Sequence, residues 1–171
     1  FLALFFHLFL PPAKSNISFR QEVNYTISVR LDDHQHKLHG HIKMQYINHS
    51  PDTLTEIFIH LWPNAYKNNQ TAFARQKVET GSTRFYFADK KEKGAIDSLH
   101  FLVDNTNISW EYDPVHIDIA RLILKQPLLP GGQIIIETPF RLKIPASFSR
   151  LGHVGTSYQI TQWYPKPAVY D

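Results

Sequence analysis

The feature that most constrains this chain is a two-residue alternation of apolar and polar side chains that begins soon after residue 15. In residues 23–30, Val, Tyr, Ile and Val alternate with polar residues, which is the pattern of a strand with one buried face. Residues 36–48 repeat the pattern, and a turn at 31–34 would join the two strands into a hairpin. One face of the second strand is predicted to carry Leu38, Gly40, Ile42, Met44 and Tyr46.

The rest of the chain predicts a series of further short strands. They are expected at 54–62, 96–103, 107–112, 115–124 and 133–144, and the first of these carries apolar residues on both faces, as a central strand does. Between the first two of these strands, residues 63–95 predict a long polar connection with a short helix near 71–79. Residues 150–158 predict a flexible polar stretch. Short strands separated by turn signals predict an all-β fold, either a β-sandwich or a large curved sheet.

Composition narrows the function classes. The net charge is +3, and the one basic cluster, 90–93, is interrupted by Glu92, so we predict no nucleic-acid partner. The chain has no cysteine, which excludes disulfides and cysteine-based zinc sites.

The first residues predict an export signal. Residues 1–10 are almost entirely apolar but too short to span a bilayer, and Pro11 and Pro12 follow them. The segment 13–15 resembles a signal-peptidase site. We therefore predict that 1–15 is the remnant of a signal peptide, that 16–171 is the domain, and that the protein is secreted or periplasmic without further membrane contact. The alternative is a buried N-terminal strand or helix.

Histidines are the candidate metal ligands, since the chain has ten of them. Four lie close together in the first hairpin, and the two on the second strand would share a face: His34, His36, His39 and His41. No apolar shell that would orient their rings is evident, so a solvent-exposed hairpin edge is favoured over a metal site. We predict no metal ligand in this chain.

Catalytic motifs are missing from the sequence. No histidine is followed by glutamate, and neither a Gly-x-Ser-x-Gly elbow nor a phosphate-binding glycine loop is present. We therefore predict no catalytic residue here and a binding or accessory role. The matches to the Asn-x-Ser/Thr glycosylation pattern, interpreted as chance, are Asn16, Asn24, Asn48, Asn69 and Asn107.

Four segments carry a family resemblance: His60-Leu-Trp-Pro-Asn-Ala-Tyr-Lys67, Thr71-Ala-Phe73, Gly152-His-Val-Gly155 and Tyr158-Gln-Ile-Thr-Gln-Trp-Tyr-Pro-Lys-Pro-Ala-Val-Tyr-Asp171. They resemble the N-terminal region of bacterial M1 family zinc metallopeptidases, the aminopeptidase N-like gluzincins. The resemblance implies a saddle-shaped, all-β N-terminal domain, cut before a catalytic domain that holds one zinc with a His-Glu-x-x-His helix and a further Glu.

The resemblance also implies how the parent protein would work. The intact enzyme would be an aminopeptidase-like peptide hydrolase, and this chain alone would be inactive and would bind no zinc. Its partners would be its own downstream catalytic domain and the peptide substrate.

Two residues are implied to bind substrate. The family typically carries Thr-Gln-x-Glu or Gln-x-Gln near the end of this domain, and Thr161-Gln162-Trp163-Tyr164 is similar to it. Gln162 matches the first Gln, but Tyr164 replaces the acidic or amide group that meets the substrate's amino terminus. A tyrosine there would offer a hydroxyl or a ring face to a cation. The alternative is that Trp163 and Tyr164 only pack against the downstream domain.

Two other functions stay open. One is a non-catalytic M1-like scaffold or protein-interaction module, which an intact His-Glu-x-x-His further along the gene would exclude. The other is a stand-alone β-sandwich binding module, for example for carbohydrate. The aromatic, proline-rich segment 158–171 argues against that module, since chain termini are usually polar and frayed.

Overall fold

The computed structural model describes residues 21–168. Within that range the chain is mostly strand, arranged in antiparallel sheets, and it contains one α-helix, so the predicted all-β class is confirmed. The predicted signal segment 1–15, the Asn16 match and the last three residues of the aromatic motif lie outside the described residues.

The described residues form twelve strands, and the sequence predicted none of those after residue 150. They are β1 (Glu22–Asp32), β2 (Lys37–Ile47), β3 (Leu54–His60), β4 (Ala95–Asp97), β5 (Leu102–Val103), β6 (Thr106–Asn107), β7 (Ser109–Tyr112), β8 (Ile119–Leu128), β9 (Gln133–Lys143), β10 (Gly152–Val154), β11 (Ser157–Gln159) and β12 (Lys166–Pro167). Between β3 and β4 come a 3₁₀ helix (Trp62–Tyr66) and helix α1 (Ala72–Glu79).

Two larger sheets form the body of the domain. The large sheet has the order β1-β2-β9-β5-β6, with β4 also paired to β9, and the small sheet has the order β12-β3-β8-β7. The hairpin β10–β11 stands apart from both. Strand β3 therefore lies between two neighbours, as its apolar faces predicted.

The inner faces of the two sheets share one core, here called the intersheet core. It consists of Ile42, Met44, Tyr46, Leu54, Ile57, Ile59, Leu61, Ile96, Phe101, Ala120, Leu122, Leu124, Leu128, Ile136 and Phe140. Almost all of these residues lie at alternate positions of a strand, which is why a period of two revealed them. On β2 the predicted buried face is confirmed, and Gly40 of that face lies beneath the ring of Phe140.

A second core, here called the loop core, lies beneath the connection that the sequence predicted to be polar and without period. It consists of Leu38, Tyr66, Ala74, Phe85, Leu142, Ile144 and Leu151. The ring of Phe85 lies 5.1 Å from the ring of Phe73 and 5.0 Å from that of Phe148. The connection is therefore packed rather than merely solvated.

Helix α1 confirms the predicted helix near 71–79. Thr71 is its N-cap, and the Thr71 hydroxyl accepts a hydrogen bond from the backbone N–H of Ala74 at 3.2 Å. A threonine in this position satisfies an amide that the first turn would otherwise leave without a partner.

The predicted strand 96–103 is wrong, because it divides into β4 and β5. Asp97 pairs with Arg141 of β9 and Leu102 pairs with Glu137, so the intervening segment holds one residue more than its partner. Ser98 absorbs the extra residue by adopting a φ of 60°. The segment stays attached through the Thr138 hydroxyl, which accepts a hydrogen bond from the His100 amide at 2.8 Å.

Two further boundaries differ from expectation. Strand β8 begins at Ile119 instead of residue 115, because the Asp113 carboxylate accepts hydrogen bonds from the amides of Val115 and His116 and closes a turn. Residues 150–158 are not an irregular stretch, since they form most of the hairpin β10–β11. That hairpin is held to the preceding loop by the His153 amide, which donates to the Pro145 carbonyl at 3.0 Å.

Among residues 21–168 we find no helix with the length and apolar character needed to cross a membrane.

Candidate functional site

The two longest segments of the family resemblance, far apart in sequence, meet in the fold. Strand β12 pairs with β3, so that Lys166 lies opposite His60, and the Ala168 amide donates to the Phe58 carbonyl at 2.8 Å. A proline biases the residue before it toward extended backbone, and two such prolines in 165–167 favour this short strand.

Trp163 anchors the second segment. Its half-buried ring packs against both the intersheet core and the loop core, and it lies 6.0 Å from the ring of Phe140. Pro165 and Pro167 beyond it are buried. On the other side of residue 162, the Thr161 hydroxyl donates to the Arg150 carbonyl at 2.8 Å. The segment between β11 and β12 is therefore held on both sides of the residue that precedes Trp163.

Gln162 is that preceding residue, and its side chain is exposed. Its backbone is left-handed, with φ at 50°, a conformation that non-glycine residues adopt at a cost and that surrounding contacts must hold. The anchored Trp163 supplies such a contact. The fold therefore presents the Gln162 amide from a strained but fixed position.

Gln162 lines a cleft of about 620 Å³ between the 3₁₀ helix, α1 and the 149–151 loop, here called the helix cleft. The helix cleft is lined by Trp62, Ala65, Tyr66, Ala72, Phe73, Gln76, Lys77, Glu79, Asp118, Ser149, Arg150, Leu151, Thr161 and Gln162. It combines aromatic walls with side chains of both charge signs. Such a lining suits a ligand that has a polar backbone and apolar side chains.

Asp118 is a site residue that sequence reasoning missed. Asp118 belongs to the lining of the helix cleft, and its carbonyl accepts a hydrogen bond from the Leu61 amide at 2.7 Å. The segment 115–124 was expected to be strand throughout, so nothing in the sequence separated Asp118 from it. An aspartate that lines the same cleft as Gln162 brings a negatively charged residue to the site.

A smaller cleft of about 230 Å³ adjoins β12, and we call it the strand cleft. It is lined by His60, Trp62, Gln162, Tyr164, Lys166 and Pro167. The His60 and Trp62 rings stack with their centroids 4.4 Å apart. Burial lowers the pKa of His60; Asp118 opposes this shift and Lys166 adds to it, so the neutral imidazole is favoured.

Tyr164 lies beside Gln162 on the strand cleft, so the structure brings the two predicted substrate-binding residues together. The ring of Tyr164 is half-buried and meets the ring of Tyr25 edge-on at 5.5 Å. Burial, with a smaller contribution from Tyr164, raises the pKa of Tyr25 to about 12. Tyr164 thus packs within this domain as well as lining a cleft.

The histidine-rich hairpin lies at one edge of the large sheet, but the edge strand is β1 and not the strand that carries His39 and His41. His39 and His41 share the outer face of β2, which pairs with β1 on one side and β9 on the other. His36 lies in the turn with φ at 52° and stacks on His153 at 3.6 Å, while its Nδ1 lies 2.8 Å from the Tyr158 hydroxyl. In the described part of the chain, no three His, Asp or Glu side chains are grouped to hold a metal ion.

The glycosylation match at Asn48 is buried. Its side-chain amide donates to the Asp52 and Leu128 carbonyls, and its side-chain oxygen accepts from the Ser50 amide. Asn48 therefore fastens the turn after β2.

No family model matches this sequence, and no curated protein matches it. The features of the chain that bear on its function are therefore the segments 60–67 and 158–168 and the clefts that they line together.

Proposed function

We propose that this chain is the N-terminal β domain of an M1-type zinc metallopeptidase, where it caps the substrate site of an aminopeptidase-like catalytic domain. The observation that supports the proposal most is the meeting of segments 60–67 and 158–168 around Gln162. A domain that only packed against another would not need an exposed amide held in a left-handed backbone between two clefts.

In this proposal the zinc belongs to the downstream catalytic domain. All the zinc ligands would likewise come from that domain. When bound there, zinc supplies Lewis-acid polarisation of the peptide carbonyl and activation of water.

The residues of this chain would bind and orient the peptide. The Gln162 side-chain oxygen would accept a hydrogen bond from the substrate's amino terminus, and Tyr164, which lines the strand cleft with Gln162, would offer its hydroxyl as a second polar group. Asp118, which lines the helix cleft, would supply the negative charge that a glutamate provides in the family. These groups would select a free amino terminus.

The proposal includes the finer features that the resemblance implies. They are the saddle-shaped curvature of the domain, the signal segment at 1–15 and a secreted or periplasmic location. The extra residue between β4 and β5 supports curvature of the large sheet, because a bulge bends its strand and increases its twist.

The test uses the intact parent protein and compares a short peptide with its N-acetylated form. If Gln162 binds the amino group, Gln162→Ala lowers kcat/KM for the free peptide by an amount equivalent to about 1–3 kcal/mol and leaves the acetylated peptide unaffected. Tyr164→Phe isolates the hydroxyl in the same assay. The matched control is Gln159→Ala, because Gln159 is exposed on β11 and lines neither cleft.

The alternative function predicts different results. A non-catalytic scaffold would lack the downstream His-Glu-x-x-His sequence and would hydrolyse neither peptide. If the parent is active but neither substitution changes its preference for the free amine, the capping role of Gln162 and Tyr164 is refuted while the family assignment stands.

A further inference from the structure

Strand β1 forms one edge of the large sheet. Within residues 21–168 it pairs with β2 alone, so one side of an 11-residue strand presents its backbone N–H and C=O groups outward. Val29 and Leu31 on β1 are 45% and 42% exposed, although Val23, Tyr25 and Ile27 of the same face pack against the intersheet core. A long edge with exposed apolar side chains favours pairing with another strand.

The charges of β1 do not protect this edge against a second copy. Natural edge strands are often blunted by charges that repel an incoming strand. Here the outer face carries Glu22 at one end and both Arg30 and Asp32 at the other, with uncharged Asn24, Thr26 and Ser28 between them. An antiparallel copy of the same strand can therefore set Glu22 against Arg30, depending on the register.

The alternation of β1 restricts how two copies align. Each face must meet the same face of the other strand, because a shift by one residue would set apolar against polar positions. If Thr26 lies on the two-fold axis, Glu22 faces Arg30 of the other copy, Asn24 faces Ser28 and Val23 faces Val29. If Ile27 lies on the axis instead, Glu22 faces Asp32, which sets like charges opposite each other.

We propose that two copies of this chain form a symmetric dimer by antiparallel pairing of their β1 strands, centred on Thr26. The pairing is isologous, so each favourable contact occurs twice. It joins the two large sheets into one continuous sheet and covers Val29 of each copy with Val23 of the other.

The first test measures association of the full 171-residue chain by sedimentation equilibrium. A monomer–dimer equilibrium is expected, and Arg30→Glu should weaken it by about tenfold, because it replaces two attractive cross-strand pairs with two repulsive ones. The double variant Glu22→Arg/Arg30→Glu should restore the affinity. Circular dichroism checks that every variant is folded.

A chain that stays monomeric at every concentration would overturn the proposal. So would a dimer that the single and the double variant affect equally, since the charges would then not lie across the seam.

The second test reads the register directly, because the chain has no cysteine of its own. Thr26→Cys places two thiols next to each other on the axis, and oxidation should produce a disulfide-linked dimer. Ser28→Cys is the matched control: it is equally exposed and on the same face, but its two copies lie four positions apart, about 13 Å. That separation exceeds the reach of a disulfide. Equal cross-linking of both variants, or preferential cross-linking of Ser28→Cys, would refute the Thr26-centred register.

Discussion

The intersheet core and the loop core are built by different means. The intersheet core takes its residues from regularly alternating strands, whereas the loop core collects isolated residues from two sheet strands, α1 and several irregular segments. Strands that pair along their whole length hold their side chains at a constant spacing. Most residues of the loop core are not held in place by paired strands, so their arrangement depends on how the aromatic rings pack against one another.

The two cores are coupled at the candidate site. Trp163 touches both, and its neighbours Gln162 and Tyr164 line the clefts. The site is therefore sensitive to changes in either core, although neither core contains its polar groups. This difference suggests substitutions that separate the contributions of the two cores.

The largest effect is expected from Phe85→Ala in the loop core. Phe85 is 1% exposed and its ring lies against those of Phe73 and Phe148, so truncation should cost about 3–5 kcal/mol in the free energy of unfolding. Hydrogen exchange should show lost protection in 62–94 while β2 and β9 keep theirs. Phe101→Ala, the matched change in the intersheet core, should lower protection in both sheets. If both variants lost hydrogen-exchange protection equally in all elements, the two cores would unfold as one unit.

A smaller loss is expected from Gly40→Ala in the intersheet core. A Cβ atom there would lie 2.3 Å from the Phe140 ring, so the ring must move, at a cost of about 1–3 kcal/mol. Urea denaturation measures the loss. Phe140→Leu gives the new methyl room, so the double variant should lose less than the sum of the single variants. A strictly additive result would show that the ring does not limit packing at Gly40.

Thr71→Ala tests the helix that bounds the helix cleft. It removes the N-cap of α1 and the hydrogen bond that the Thr71 hydroxyl donates to the Ala65 carbonyl, and it should cost about 1 kcal/mol. Thermal unfolding measures this, and Thr71→Ser should retain most of the stability. Thr80→Ala at the exposed end of the same helix is the control, with an expected change below about 0.5 kcal/mol. A loss as large at Thr80 would argue against capping as the cause.

The smallest effect concerns pH and His60. Because its pKa is lower in the folded state, the unfolded chain binds the proton first as the pH falls below about 6.5. His60 should therefore reduce stability progressively from there down to its folded pKa and leave it unchanged above. His60→Gln should flatten the dependence of Tm on pH between 8 and 5, with His34→Gln as the exposed control. An unchanged slope in His60→Gln would show that His60 does not titrate differently on folding.

Much of the fold could be predicted from local sequence. The alternation in 23–30 and 36–48 predicted the hairpin β1–β2 and its buried face, and the short helix predicted near 71–79 is α1. The division of 96–103 into β4 and β5 could not be predicted, because one residue is extra only by comparison with the facing part of β9, with which both strands pair. The β10–β11 hairpin was missed because each of its strands has only three residues, too few for an alternating pattern to show.

The sequence by itself determined the all-β class and the positions of the longer strands, since these depend on the periodicity of side chains along the chain. Only the tertiary structure decided which distant residues meet: Gln162 with Trp62, Asp118 in the helix cleft and Trp163 between the two cores. The physical reason is that strand periodicity is a local property of the backbone. The pairing of β12 with β3 instead joins residues that lie far apart in the chain, and no local pattern reveals such a pairing.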